Sequence, residues 1–458
     1  MTSRLGCFKT YDIRGRVPDE LYPRLAYRIG RAFAAVLRPR TVAVGRDMRL
    51  SSPGLAEGLT QGLLDSGVDV LDLGMIGTEL VYFATFHQEL DGGIMVTASH
   101  NPAEYNGMKL VGRQAVPLDA AVLGEIERRV REGGPERPSR IGRRRSADDP
   151  GAYFARLGEL VPPGSLPRLR VVCNAGNGAV GPLLSQLMEL YPELDLLVLN
   201  PAPDGTFPAG VPNPLLPENR EETARAVRKF GADLGVAWDG DYDRCFLFDE
   251  HGGFIEGYYL VGLIAESVLE NEPGATILYD PRLTWNTEEL VLARGGNPIM
   301  CRTGHAFFKQ EMRARQAAYG GEMSGHHYFR EFGNCDSGIL PWLLVMRMLR
   351  ERPGLSRLVE SRQRRYPISG EINRAVADPA LALKRVRDLF LPEAAREHTL
   401  DGVTMEFADW RFNLRSSNTE PLLRLNVETR GDPALLAART EEILALLDGD
   451  ALRGEDPI

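Results

Sequence analysis

A strand, helix, strand rhythm that recurs three times constrains this chain more than any other feature. It first appears in TVAVGRDMRLSSPGLAEGLTQGLLDSGVDVLDLGMIGT, from Thr41 to Thr78. The second copy begins at Leu169 with LRVVCNAGNGAVGPLLSQLMELYPELDLLVLNPAPDGTF, and the third at Ala275 with ATILYDPRLTWNTEELVLARGGNPIMCRTGH. In each, a β-rich run, a helix-length segment and a second β-rich run end in a short polar loop containing glycine. Two strands joined by such a crossover run parallel, and parallel sheets bind ligands beyond the carboxyl ends of their strands. Three copies at roughly 110 to 130 residue spacing therefore predict three similar mixed α/β domains whose loops can face one cleft.

Beyond Arg365 the character changes. YPISGEINRAV reads as a strand, LALKRVRDLF as a helix, and DGVTMEFADWRFNLRSSN as two strands with a turn. PLLRLNVET reads as a further strand and DPALLAARTEEILALLDG as a closing helix, which together make a smaller α+β domain. The expected domains are 1–147, 148–252, 253–365 and 366–458, and 458 residues indeed exceed one hydrophobic core. The longest apolar run, Ile339 to Met346, is too short to span a bilayer, so no membrane partner is expected. The start, MTSRLGCFKTYDIRG, lacks the apolar stretch of a secretory signal, and a cytoplasmic location is expected. Five scattered cysteines without a CxxC pair suggest packed thiols rather than disulfides or zinc. A formal charge of -9 offers no field for nucleic acid, and the local basic run RIGRRRS near Arg140 reads as a solvated linker.

Four short stretches carry chemistry. GGIMVTASHNPAEYNG, Gly92 to Gly107, puts Ser99 at the end of a buried strand, where phosphate and nucleophile sites tend to lie; a plain strand-to-turn junction reads the same way. WDGDYDRC, Trp238 to Cys245, alternates Asp239, Asp241 and Asp243. In an extended segment these would share one side, with Gly240 permitting close backbone approach. Three hard carboxylates suit Mg²⁺ at a phosphoryl-transfer site, the competing reading being an acidic surface turn. GGEMSGHHYFREFGNCDSG, from Gly320, offers Glu322 and Ser324 as acceptor and donor for sugar hydroxyls, although a polar loop would look alike. LRSSNTEPLLRLNVET places Arg415, Ser416, Ser417, Asn418 and Thr419 between two strands, as an anion-binding loop or a polar hairpin turn.

Taken in order, YDIRG at Tyr11 to Gly15, TASHNP at Thr97 to Pro102, NGMK at Asn106 to Lys109, DGDYDR, TGH at Thr303 to His305, GEMSGH and RSSNTEP resemble the α-D-phosphohexomutases over nearly the whole chain. PRLTWNT and GHHYFREFGNCDSG are most similar to the bacterial phosphomannomutase branch. The resemblance implies three α/β domains and a fourth, phosphate-gripping domain around a central active-site cleft. It implies that Ser99 is carried as phosphoserine and also ligates Mg²⁺ with Asp239, Asp241 and Asp243. His100 and Lys109 would then support proton transfer and charge neutralisation, and Arg14 and Arg244 would stabilise the transferring group. Tyr11, Arg282, Thr303, Gly304, His305, Glu322, Ser324 and His326 would contact substrate, with Arg415, Ser416, Ser417, Asn418 and Thr419 on its distal phosphate. The implied reaction interconverts mannose 6-phosphate and mannose 1-phosphate through a hexose 1,6-bisphosphate, which also serves as activator. A phosphoglucomutase or dual-specificity enzyme is the alternative, because a site gripping O3, O4 and phosphate can accept either sugar. A magnesium-dependent phosphohydrolase and a non-catalytic sugar-phosphate binder are the readings from other classes. A monomer or weak homodimer is expected. The metal loop departs from many members in having Tyr242 in place of glycine.

Overall fold

The computed structural model describes residues 5–133, 140–147, 150–351, 354–416 and 422–451. The chain divides into two compact units. One comprises Met1–Phe254, Met312–Ala314 and Gly325–Gly354; the other comprises Ile255–Glu311, Arg315–Ser324 and Leu355–Ile458.

In the first unit a six-stranded sheet runs in the order Ile13–Arg16, Tyr105–Gly112, Gly92–Val96, Thr41–Arg46, Asp69–Met75 and Arg144–Ser146. The last four strands are parallel, and the first two are antiparallel additions. Leu55, Leu59 and Leu63 recur at a four-residue spacing on the helix Ser52–Leu64 and bury one stripe against Val42, Val44, Ile94 and Val96 of the sheet. RIGRRRS is largely exposed, as expected, but is more than a linker, because Arg144–Ser146 pairs as an edge strand with Asp69–Met75. Arg140 forks onto Asp69 with two bonds of 2.7 Å, and Arg144 pairs with Asp72 and Glu57, so two of the run's arginines are ion-paired at the sheet edge. A second set of strands in this unit runs Leu194–Leu199, Leu169–Asn174, Leu234–Trp238 and Cys245–Phe248, only the last being antiparallel.

In the second unit Thr276–Tyr279 lies parallel between Asn297–Met300 and Tyr319–Gly321. The C-terminal sheet is antiparallel throughout, in the order Ile372–Ala375, Leu422–Thr429, Trp410–Ser416, Val403–Glu406 and Arg396–His398. Trp410, Phe412 and Leu414 face a core completed by Val386 and Phe390 of the helix Pro379–Phe390 and by Ile443 and Leu447 of Pro433–Ala451. The period of two puts Arg411, Asn413 and Arg415 on the other face, opposite Glu428, Asn426 and Arg424 respectively. Among the described residues no helix is long and apolar enough to cross a membrane, and all five cysteines are buried free thiols.

The three repeats share one turn. Immediately after or at the end of the first strand of each, a side-chain oxygen accepts the backbone N–H two residues on: Asp47 from Arg49 at 3.0 Å, Asn174 from Gly176 at 2.9 Å, and Asp280 from Arg282 at 2.9 Å. In the first copy Arg49 is 1% exposed. Its Nε lies 3.2 Å from Asp47 Oδ2, and its two Nη atoms donate to the carbonyls of Ser99, Asn101, Pro102 and Tyr105 at 2.8, 2.5, 2.7 and 3.0 Å. One guanidinium thus staples the whole loop that follows the strand Gly92–Val96.

Arg49→Met strands the Asp47 carboxylate and four carbonyls, and is expected to cost about 3 to 5 kcal/mol in a denaturant melt. The double variant Asp47→Asn/Arg49→Met recovers part of that loss, because the buried charge is gone.

Candidate functional site

The strand Gly92–Val96 is buried along its full length and delivers Thr97, Ala98 and Ser99 to its carboxyl end. Ser99 adopts φ +51, an uncommon conformation for a residue with a Cβ, and its N–H donates to Thr97 Oγ1 at 2.8 Å. This bend turns Ser99 Oγ onto Asp239 Oδ2, to which it donates at 2.5 Å, with His100 Nδ1 3.1 Å away on its other side. Burial, and then the positive charges of Arg244 and Arg14, hold the His100 imidazole well below its usual pKa, so the ring is neutral. Arg14 donates to Asn101 Oδ1 at 2.5 Å and to Ala98 O at 3.2 Å and pairs with Asp12 at 3.1 Å, which fixes it against the same loop.

Asp239, Asp241 and Asp243 are all buried and converge, but not by strand alternation as expected from the sequence. The segment between Leu234–Trp238 and Cys245–Phe248 is a turn in which Tyr242 takes φ +42 and its N–H reaches back to Asp239 O at 3.1 Å. Tertiary contacts set this turn. A Cβ on Gly240 would stand 2.8 Å from Ser99 O, and one on Gly77 would stand 2.2 Å from the ring of Tyr242, which is itself buried. Tyr242 is accommodated in this turn by laying its ring over Gly77.

Lys109 Nζ donates to Asp241 Oδ2 at 2.7 Å and to Asp243 Oδ2, and Thr78 Oγ1 donates to Asp241 Oδ2 at 2.5 Å. Arg244 stands 3.6 Å from Asp239 Oδ2, while its backbone N–H donates to Oδ1 at 3.2 Å. Burial raises the Asp241 pKa, but Lys109 outweighs it and holds the carboxyl below its usual range. Asp239 goes the other way, pushed up by burial and then by the charges of Asp241 and Asp243. One oxygen from each of the three carboxylates lies within 4.8 Å of the others, and Asp241 Oδ1 is buried without a hydrogen bond, so the trio fits a hard cation.

His326 belongs to the first unit, where its Nδ1 stands 3.1 Å from Asp336 and 3.8 Å from Asp243. Asp243, His326 and Asp336 form a second group with metal-ligand spacing. Tyr11 precedes the strand Ile13–Arg16 in the first unit.

The remaining candidates belong to the second unit. Asp280 grips Arg282 bidentately at 2.8 and 2.9 Å and accepts the Met323 N–H at 2.8 Å. Arg282 also reaches Ser324 Oγ at 3.3 Å and Glu322 at 3.6 Å, and Gly304 N–H donates to Glu322 Oε2 at 3.0 Å, bringing the loop of Thr303, Gly304 and His305 to Glu322. Arg415 is 11% exposed along its side chain and Ser416 ends the same strand in solvent; Ser417, Asn418 and Thr419 lie outside the described residues.

Sequence reasoning missed Thr78, Asp280, Asp336, Glu371 and Arg424. Of these only Asp280 left a readable trace, since DPR after the third repeat's first strand mirrors DMR after the first repeat's. The others act across strands or between segments far apart in the chain.

The chain matches the models of phosphoglucomutase/phosphomannomutase alpha/beta/alpha domain I over residues 6–137, domain II over 152–253, domain III over 256–366 and the C-terminal domain over 371–446. A phosphomannomutase of Salmonella typhimurium is 53% identical over 454 residues, spanning 97% of this chain and 100% of that one. The protein named phosphohexose mutases of Xanthomonas campestris is 52% identical over 447 residues, with coverage of 97% and 100%. The crystal structure of a phosphoglucomutase/phosphomannomutase family protein from Burkholderia thailandensis aligns with a TM-score of 0.87 at 31% identity over 98% of each chain. Matched domain by domain along its length, with the Ser99 loop and a buried aspartate trio side by side, the chain belongs to the phosphoglucomutase/phosphomannomutase family of α-D-phosphohexomutases.

Proposed function

We propose that this protein is a phosphomannomutase that interconverts mannose 6-phosphate and mannose 1-phosphate, with Ser99 as the phosphoryl carrier and a hexose 1,6-bisphosphate as intermediate. The observation that carries this reading is the Ser99 hydroxyl, bent onto Asp239 at 2.5 Å among buried counter-charges. In the forward half-reaction the P–O bond to Ser99 Oγ breaks as the substrate hydroxyl oxygen bonds phosphorus, and the hydroxyl gives up its proton. The His100 ring, 3.1 Å from Ser99 Oγ, would support proton transfer at that step. In the return half-reaction Ser99 is the acceptor, and its own proton points at Asp239 Oδ2. Phosphoryl transfer depends on alignment and charge stabilisation more than on covalent assistance, and Arg14, Arg244 and Lys109 supply fixed positive charge around the loop.

Asp239, Asp241, Asp243 and Ser99 are the residues that would hold Mg²⁺, which when bound neutralises charge on the transferring phosphoryl group. The distal phosphate falls to Arg415, Ser416, Ser417, Asn418 and Thr419, and the sugar to Arg282, Glu322, Ser324 and the Thr303–Gly304–His305 loop, with Tyr11 and His326 as further contacts. After the first transfer the bisphosphate turns end for end, so that its other phosphate meets Ser99. A dual-specificity reading is favoured by the relative named phosphohexose mutases, which is nearly as similar as the phosphomannomutase. Comparing kcat/KM for mannose 1-phosphate and glucose 1-phosphate, each with its bisphosphate activator, separates the two. Release of inorganic phosphate as the main product would instead make the protein a hydrolase.

Ser99→Ala is expected to lower kcat by about a thousandfold or more while leaving the thermal melt in place, with a weak residue of transfer from added bisphosphate. Near wild-type turnover would remove Ser99 from the mechanism. Asp241→Asn is expected to raise the half-saturating Mg²⁺ concentration about tenfold or more, with partial recovery of kcat at excess metal, as a metal titration of activity reads. Arg415→Ala removes a charge-assisted fork worth about 1.5 to 3 kcal/mol, and is expected to lower kcat/KM by about one to two powers of ten while releasing more free bisphosphate.

A further inference from the structure

Arg415 and Arg424 are direct cross-strand partners on the face of the C-terminal sheet opposite its apolar core. Like charges placed directly opposite one another destabilise an antiparallel pair unless an anion lies between them. Here the anion is Glu371, which immediately precedes the strand Ile372–Ala375. Glu371 Oε2 accepts from Arg415 Nη2 at 2.9 Å and lies 3.7 Å from Arg282 Nη1, and its Oε1 accepts from Arg424 Nη1 at 3.4 Å. One carboxylate, 24% exposed, therefore gathers three guanidinium groups. Burial pushes its pKa up, but the charges of Arg282, Arg415 and Arg424 outweigh this and keep the carboxyl ionised, below its usual range.

We propose that Glu371 is a built-in competitor for the distal phosphate of the substrate. Its carboxylate holds Arg415 and Arg424 together, with Arg282 nearby, when no phosphate is bound, and a phosphate must draw Arg415 and Arg424 away from it. The inference rests on the reading of Arg415 as part of the distal phosphate clamp, and it adds Arg424 to that clamp. A phosphate dianion offers more acceptor oxygens than a carboxylate and forks onto arginine equally well, so it wins the exchange. The net affinity is only the difference between the two sets of bonds. That discount has a use. A bisphosphate gripped with the full strength of both clamp arginines would leave the clamp too slowly to turn, whereas a returning carboxylate replaces each bond as the phosphate departs.

The test measures the inhibition constant of inorganic phosphate, the KM for hexose monophosphate, kcat and the yield of free bisphosphate at fixed ionic strength. Glu371→Gln removes the competing charge while keeping the shape. It is expected to lower the phosphate constant and the KM about three- to tenfold, to lower kcat, and to lower the free bisphosphate released. Glu371→Asp, which keeps the charge, is expected to stay nearer to wild type in all four. A KM and phosphate constant that rise or stay unchanged in Glu371→Gln would show a carboxylate that merely positions Arg415, and would overturn the proposal. Equal effects of the Asp and Gln variants would do the same, since packing rather than charge would then be responsible. Arg415→Ala is the reference: if it leaves the phosphate constant at the wild-type value, the clamp itself is wrong and the proposal falls with it. A raised constant there beside an unaffected Glu371→Gln overturns the proposal alone.

Discussion

Three carboxylates buried within 4.8 Å of one another repel strongly, and the first unit is arranged around containing that repulsion. Lys109 divides its ammonium between Asp241 and Asp243, Arg244 leans on Asp239, and the hydroxyls of Thr78 and Ser99 each donate to one member of the trio. These donors come from four separate places in the chain: the start of the helix Thr78–His87, the loop after Val96, the strand Tyr105–Gly112 and the turn itself. The energetic cost of the trio therefore ties the sheet and the turn together. A divalent cation fits this design because it adds to counter-charges that already leave Asp241 Oδ1 without a hydrogen bond.

What the sequence disclosed depended on whether the determining contact was local. The parallel repeats were legible because a β-rich run, a helical segment and a second run are properties of a few dozen consecutive residues. The placement of Ser99 just beyond a strand was legible for the same reason, because a short apolar run precedes it. The shape of the aspartate turn was not, since Gly240 is pressed against Ser99 O and Tyr242 against Gly77, both far away in sequence. The edge pairing of RIGRRRS was not legible because its partners, Asp69 and Asp72 among them, lie some seventy residues earlier. The edge strand Arg396–His398 has only three residues, too few to display an alternating pattern.

The second unit uses the two faces of one strand for two different purposes. Trp410, Phe412 and Leu414 hold the C-terminal sheet to its helices, while Arg411, Asn413 and Arg415 build a polar ladder with Glu428, Asn426 and Arg424. Arg411 donates to the carbonyls of Pro281 and Arg282 at 2.7 and 3.0 Å, and Glu428 accepts the Thr284 N–H at 3.1 Å. The backbone that carries Arg282 is thus held by the ladder, and the arginine itself by Asp280 and Glu371. Glu371 and Arg424 escaped sequence reasoning because their importance lies in register. A one-residue slip would move Arg424 to the apolar face and leave Glu371 with fewer partners.

The turn shared by the three repeats works as a mount whose fitting can be changed without rebuilding it. Its acceptor is a side chain and its donor a backbone N–H, so the residue two positions on is free to differ: arginine in the first and third copies, glycine in the second. In the first copy the mounted arginine became scaffolding and closed over the carbonyls of the Ser99 loop. In the third the same fitting extends toward Ser324 and Glu322. One mount thus carries a supporting arginine in the first copy and, in the third, an arginine that reaches Ser324 and Glu322, while the glycine of the middle copy leaves its place open to backbone alone.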